Sequence, residues 1–427
     1  MPTLVLALLL VGATQEVRPV RTEVITPIHQ DTFNKGGTAK RRVQGGNPRV
    51  VHGFLVFDGS SDGDRQVDPQ IAVGGGFVLH GTNGGLIIYD KEGHYVDGVP
   101  QDEFNGGIDP KLFFDPHNRV FGFDLWKYWD KEKIKPVNIS ISQTADPRGA
   151  WNTYAVPAPK GVDGGGIGYS RKWIGYSFPG GPEETFVMKM AEVKAGKPAT
   201  VYHFAGSLGS PAYTQDATDD LLFVRLTDQD IVLTTVGTGG GGEPVVKSVV
   251  TAPHHFRYFG WPPASPMKGT DKRTASGDRN PKNLVVQSRN LWFSHTVDVE
   301  GRAGVEWHQV KLDGTFVQNG LIANPETSYI QTTIAVNRRQ DVLVGFQETG
   351  PNMFISGRCT WRRANDPPGT LRPILELGEG LAATKGGPWG DYSGSVVDGD
   401  NLTDLWTIQS VATAAGRGGT VIAKITP

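Results

Sequence analysis

Residues 386–410, GGPWGDYSGSVVDGDNLTDLWTIQS, hold the plan of the chain. Gly386, Gly387 and Pro388 interrupt whatever precedes them. Tyr392 to Val397 then read as a short strand of small residues. Asp398-Gly399-Asp400-Asn401 is turn chemistry, because Gly accepts positive φ and Asp and Asn side chains bond their own backbone. Leu405 to Val411, apolar and β-branched, reads as a second strand. The predicted unit is strand, acidic turn, strand.

Similar units lie upstream. From Asp68 the run DPQIAVGGGFVLHGTNGGLIIYDKEGHYV predicts four strands, around 70–73, 77–82, 86–89 and 94–96. Asp109 opens a comparable run, DPKLFFDPHNRVFGFDLW, 41 residues further on. Four-stranded propeller blades repeat every ~40–50 residues. Further units begin near Ile167, Asp216, Asn283, Tyr329 and Asp391. The pattern predicts an all-β fold: a single β-propeller of about seven four-stranded blades, with six as the alternative. The last unit shows only three strands, near 392–397, 405–411 and 419–425. An open edge invites aggregation, so Val51 to Phe57 is expected to supply the missing strand and close the ring.

Composition agrees with short strands and many turns. There are 57 Gly and 29 Pro in 427 residues, well above the ~12% usual for the two together. A net charge of −2 supplies no basic field, so neither nucleic acid nor an anionic membrane is an expected partner. Residues 4–11 are continuously apolar, and small residues follow at Val11-Gly12-Ala13. This predicts a secretory signal peptide over 1–13, then a polar flexible arm over 14–49 and a folded domain over 50–427. No later run reaches the ~20 apolar residues of a membrane span. The product is expected to be secreted, periplasmic or on the cell surface. The one cysteine, Cys359, forms no disulfide framework and reads as a small buried apolar residue.

Candidate chemistry falls in three places. Asp68, Asp109, Asp216 and Asp391 each stand at the start of a unit's first strand. In a propeller they would surround one mouth of the channel as a site for a polar ligand; the alternative is that each caps a turn. Asp398, Asp400 and Asp404, like Asp58, Asp62, Asp64 and Asp68, have the alternating spacing that offers oxygens to a hard cation. Calcium is the cofactor such loops suit, and solvated turns are the alternative. The stretch from Thr251 to Lys282 is the longest without strand pattern. Its Arg257, Tyr258 and Trp261 suit stacking on a sugar or a partner peptide, or else burial as a lid. His254 and His255, being adjacent, do not readily reach one metal ion. His-Glu-x-x-His, Gly-x-Ser-x-Gly and the phosphate-binding Gly-x-x-x-x-Gly-Lys are all absent.

DPQIAVGG with Asn83 and Tyr89-Asp90-Lys91, DPKLFFD, the turn TADPRGAW, and WGDYSGSVVD with LWTIQS together resemble secreted bacterial β-propeller proteins. That group is distantly similar to sialidase-like propellers with Asp-box turns. The resemblance implies a propeller and export. It carries no catalytic residue: in the turn, Asp146, Gly149 and Trp151 match the Asp-box in type, but one extra residue precedes the Gly. The function expected is a binding module for an extracellular glycan or protein, and an enzyme is the less favoured class. The alternative is an extracellular glycoside hydrolase or lyase of sialidase-like type.

Overall fold

The computed structural model describes residues 17–33, 45–60, 67–100, 107–127, 136–157, 165–178, 184–384 and 389–427. The expected signal peptide, and Asp62 and Asp64, lie outside them. More than half of the described residues are strand, and the one helix among them is the five-residue Met190–Lys194.

Local pairing follows the alternating pattern of the sequence. Gln70–Gly74, Phe77–Thr82, Gly85–Asp90 and Tyr95–Pro100 form an antiparallel meander in chain order. Gly107–Asp115, Val120–Lys127, Pro136–Ser142 and Trp151–Pro157 form the next. Turn residues that tolerate positive φ set the corners, as at Gly75 and Gly76 between the first two strands.

The meanders do not become seven equal blades in a closed ring. The described strands form seven sheets, of ten, five, four, four, four, four and two strands, and none closes on itself. The propeller expected from the repeat is therefore corrected to an all-β assembly of open sheets, and the sialidase-like and Asp-box descriptions fall with it. The reason is physical. Alternation and turn residues dictate which strand pairs with its sequence neighbour, whereas sideways joining depends on exposed strand edges. Here the two-residue strand Tyr213–Thr214 pairs parallel with Tyr169 on one side and with Val285 and Val286 on the other. It merges two meanders into the ten-stranded sheet. The TADPRGAW turn is self-contained: Arg148 pairs with Asp146, and the buried Trp151 donates its indole N–H to the Pro147 carbonyl.

The strand Phe54–Asp58 pairs with Gly418–Ile425, matching Leu55 to Lys424 and Asp58 to Val421. This makes an open five-stranded sheet with Gly46–Val51 on one edge and Gly394–Val397 on the other. Further upstream, Arg21–Ile25 pairs with Ala199–Ala205.

The core lies between sheets. Ala72 and Leu79 pack with Leu112 and Phe121, while Ile71 and Val78 pack with Trp406 and Ile422. The 70–100 sheet is thus buried between the 107–157 sheet and the five-stranded sheet. Trp151, Trp173, Trp292, Trp307 and Trp406 are all fully buried. Among the described residues no helix is long and apolar enough to cross a membrane. Within the expected irregular stretch, Ser265–Met267 and Thr270–Thr274 form a small hairpin.

Candidate functional site

The strand Gly107–Asp115 puts a lysine where its neighbours are apolar. Lys111 lies opposite Asp124 in the register, and its backbone N–H donates to Asp124 Oδ1 at 2.8 Å. Both side chains are buried. Lys111 Nζ makes no hydrogen bond and sits 2.8 Å from the centre of the Tyr392 ring. Asp124 Oδ2 is likewise without a hydrogen-bond partner.

Burial governs the charge states. It pulls the Lys111 ammonium down to about 8, against the nearby carboxylates of Asp124, Asp109 and Asp68. It pushes the Asp124 carboxyl up to about 7, although the charge of Lys111 opposes the rise. Asp68 rises to about 6, mainly by burial and further by the charges of Asp109 and Asp391. A buried lysine and two buried carboxyls therefore all titrate near neutrality. Such perturbed groups concentrate at functional sites.

Lys111 and Tyr392 line a cavity of about 380 Å³. Residues 165–167, Ser210, Tyr213, Trp261, Asp278, Asn280 and Lys282 are among the others in its wall. Lys282 lies on the Tyr392 ring at 5.2 Å and pairs loosely with Asp278 at 3.6 Å. The volume falls in the range of small-molecule sites, ~300–1,000 Å³.

Three of the four expected aspartates meet beside this cavity. Asp68 Oδ1 accepts from the Asp391 N–H at 2.6 Å, and its Oδ2 accepts from the Asn83 amide at 2.7 Å. The Asn83 carbonyl oxygen in turn accepts from the Asp109 N–H at 2.8 Å. Asp68 and Asp109 both adopt positive φ, 45° and 57°, a conformation costly for residues other than Gly and eased for Asp and Asn. Asp216 belongs elsewhere: it accepts from the N–H groups of Ser288 and Arg289, both at 2.7 Å, and so caps that turn. Trp261 reaches the cavity wall and is 58% exposed. Arg257 and Tyr258 instead spend their backbone N–H groups on Glu306.

The acidic loop already has cations of its own. Lys91 Nζ lies 2.7 Å from both Asp398 and Asp400, Arg119 meets Asp400 at 3.0 Å, and Lys424 meets Asp404 at 3.0 Å. Burial alone would raise Asp400, but Lys91 and the N–H groups of Gly75 and Gly76 hold it at about 2.

A second cluster sits between the strands Asn290–Val299 and Arg302–Lys311. His295 faces Glu306 across the pair, and His308 lies two residues along on the same face. All three are buried and could coordinate a metal ion. Nothing about two imidazoles and a carboxylate is specific to calcium, which takes oxygen ligands. Burial, then His295 and His254, hold His308 well below the usual histidine range, so it is neutral.

The sequence reading missed Lys111, Asp124, Tyr392, Lys282 and the His295–Glu306–His308 set. A signal existed for some of them. In DPKLFFD Lys111 interrupts the apolar run between Asp109 and Asp115, in VFGFDLW Asp124 is the one charge, and charged residues are seldom fully buried without a reason.

The chain matches no protein-family model and no curated protein sequence. Among solved structures it is similar to hydrazine synthase from Kuenenia stuttgartiensis, at 8% identity and a TM-score of 0.46, over 85% of this chain and 96% of that one. It is also similar to an α-L-arabinofuranosidase from Fusarium graminearum, at 7% identity and a TM-score of 0.38, over 94% of this chain and 98% of that one. A Lactobacillus plantarum protein matches at 10% identity and a TM-score of 0.39, over 82% of this chain and 92% of that one. These likenesses are too loose to carry a fold or an activity across. With no closed ring to bear them, the propeller-based readings of function, binding module and sialidase-like hydrolase or lyase alike, are set aside.

Proposed function

We propose that this chain is an enzyme that performs acid–base chemistry on a small polar molecule held in the Lys111 cavity. The observation that carries the proposal is Lys111: its ammonium is buried, without a hydrogen-bond partner and capped by the Tyr392 ring, and both residues line a ligand-sized space that Nζ reaches once that ring turns aside. A buried polar group left unpaired costs about 1–3 kcal/mol or more. A substrate oxygen accepting from Nζ would remove that cost. Lys111 is then the proton donor. Asp124, behind it on the paired strand, is the group that takes up and returns the proton. Tyr392 and Trp261 offer ring faces to an apolar side of the substrate, and Ser210, Asn280 and Lys282 offer polar contacts. A single sugar or a small hydroxy acid has the matching size and polarity. The apolar run at residues 4–11 supports an exported enzyme.

Ligand-observed NMR with a panel of monosaccharides and hydroxy acids, run on the wild type and Lys111→Met, tests this reading. Saturable binding that disappears in the variant is expected. For a ligand that is turned over, the rate should rise through pH about 7 as Asp124 ionises and fall above about 8 as Lys111 loses its proton. Loss of the donor should lower turnover by roughly 10²–10⁴-fold. A panel that gives no saturable ligand, or ligands that bind Lys111→Met equally well, would overturn the reading.

A further inference from the structure

We infer that His295, Glu306 and His308 form a site for one divalent transition-metal ion of the zinc class, separate from the Lys111 cavity. The Nε2 atoms of His295 and His308 face each other at 3.0 Å. His295 Nε2 lies 3.9 Å from Glu306 Oε2, and the three donor atoms fall within 4.8 Å of one another. A tetrahedral ion bound at ~2.0–2.1 Å spaces its ligand atoms about 3.3 Å apart. The two imidazoles are therefore close to ligand spacing, and Glu306 needs to move inward by about 1 Å.

The surroundings already do the work of an outer shell. The Arg279 carbonyl lies 2.8 Å from His295 Nδ1. A carbonyl only accepts, so Nδ1 carries the proton and Nε2 presents its lone pair. This is how metal-bound histidines are commonly oriented. His308 need only shift its proton from Nε2 to Nδ1. Glu306 is held by the N–H groups of Arg257 and Tyr258 and by the Asn319 amide. Oε1 takes two of these bonds, and Oε2, which accepts only from Tyr258 and is the oxygen nearer His295, keeps a lone pair for the ion.

The donor set selects the ion. Two nitrogens and one carboxylate suit zinc, cobalt or iron, whereas calcium and magnesium want oxygen throughout. The rings of Phe256 and Phe293 pack on His308, so the site is enclosed and water-poor. Binding there would also tie the 256–258 segment, through Glu306, and Arg279, through His295, to the sheet beneath them.

The test is titration of the chelator-treated full chain with cobalt(II), followed by its visible d–d bands, with zinc as competitor and calcium as control. One ion per chain is expected, displaced by zinc and indifferent to calcium. The bands should vanish in His295→Gln and His308→Gln and persist in His254→Gln. X-ray absorption of the wild-type zinc complex should count two imidazoles, and this arm requires no variant to fold. A folded wild type that takes up no metal, a metal shell with fewer than two imidazoles, or uptake unchanged in folded His295→Gln and His308→Gln would each overturn the inference.

Discussion

His80 shows how burial alone sets a charge state in this protein. It stands on the strand Phe77–Thr82, fully buried, and neither ring nitrogen has a hydrogen-bond partner. Burial lowers its pKa to about 3. The folded protein therefore keeps His80 neutral while the unfolded chain protonates it below about 6.5. Its contribution to stability is full above pH 6.5 and is lost as the pH falls toward 3, on the order of 5 kcal/mol in all. Asp68 and Asp124 act in the opposite direction. Their raised pKa values weaken the fold as the pH climbs from the ordinary carboxylate range through 6 to 7. The wild-type profile mixes both effects, and His80→Leu separates them. The variant should lose less stability than the wild type between pH 6.5 and pH 4 in thermal unfolding. Parallel profiles would show that the His80 imidazole reaches a partner or water. Little of this was legible in FVLHGT, where the apolar run between turn residues shows a strand but not that His80 is sealed from every partner.

At the scale of elements, the acidic loop 398–404 illustrates a carboxylate cluster that draws its cations from the protein itself, although Asp398 Oδ2 accepts no hydrogen bond. Asp398 is almost wholly buried and its charge is met by Lys91, from the turn after the strand Gly85–Asp90. The loop is thereby fastened to a different sheet. Lys91→Met should destabilise the protein by about 3 kcal/mol, because it strands a buried negative charge. Millimolar calcium should leave the wild-type melting temperature unchanged; a rise that Lys91→Met enhances would show a cation competing for the same oxygens. The sequence displayed the aspartates and their spacing plainly. It could not display the lysine, because Lys91 and Asp398 are joined only by tertiary structure. The aspartates at unit starts repeat the lesson. Asp68, Asp109 and Asp391 come together through Asn83, yet Asp216, in the same kind of sequence position, only caps the turn at Ser288 and Arg289.

At the scale of the molecule, the strands, their turns and their order within each meander were readable, because alternation and Gly/Asp turns are local signals. Their assembly was not, because one two-residue strand with parallel partners on both sides joins two meanders without leaving any periodic trace. The Lys111 cavity falls between these cases. Its lysine and aspartate left a local signal, a charge within an apolar run, that went unread, whereas Tyr392, Trp261 and Lys282 converge on it from segments distant in sequence. The pairing of Phe54–Asp58 with the C-terminal strand can be tested directly. Phe57 is fully buried against Tyr89 and near Trp406 and Ile422. Phe57→Ala should cost about 3–5 kcal/mol in equilibrium unfolding. A loss below about 1 kcal/mol, close to the scale of a surface change, would mean that this strand is dispensable to the core.

That pairing also orders events during synthesis. The Ser60 N–H bonds the hydroxyl of Thr420, 360 residues later. At ~5–20 residues per second, translation separates the two by roughly 20–70 s. The early strand leaves the ribosome long before its partner exists, with Phe57 able to meet Tyr89 early but not Trp406 or Ile422. The sheet made from both ends of the chain can form only after nearly all the rest has been translated, and until then its first strand is exposed to chaperones, to proteases and to other nascent copies of itself.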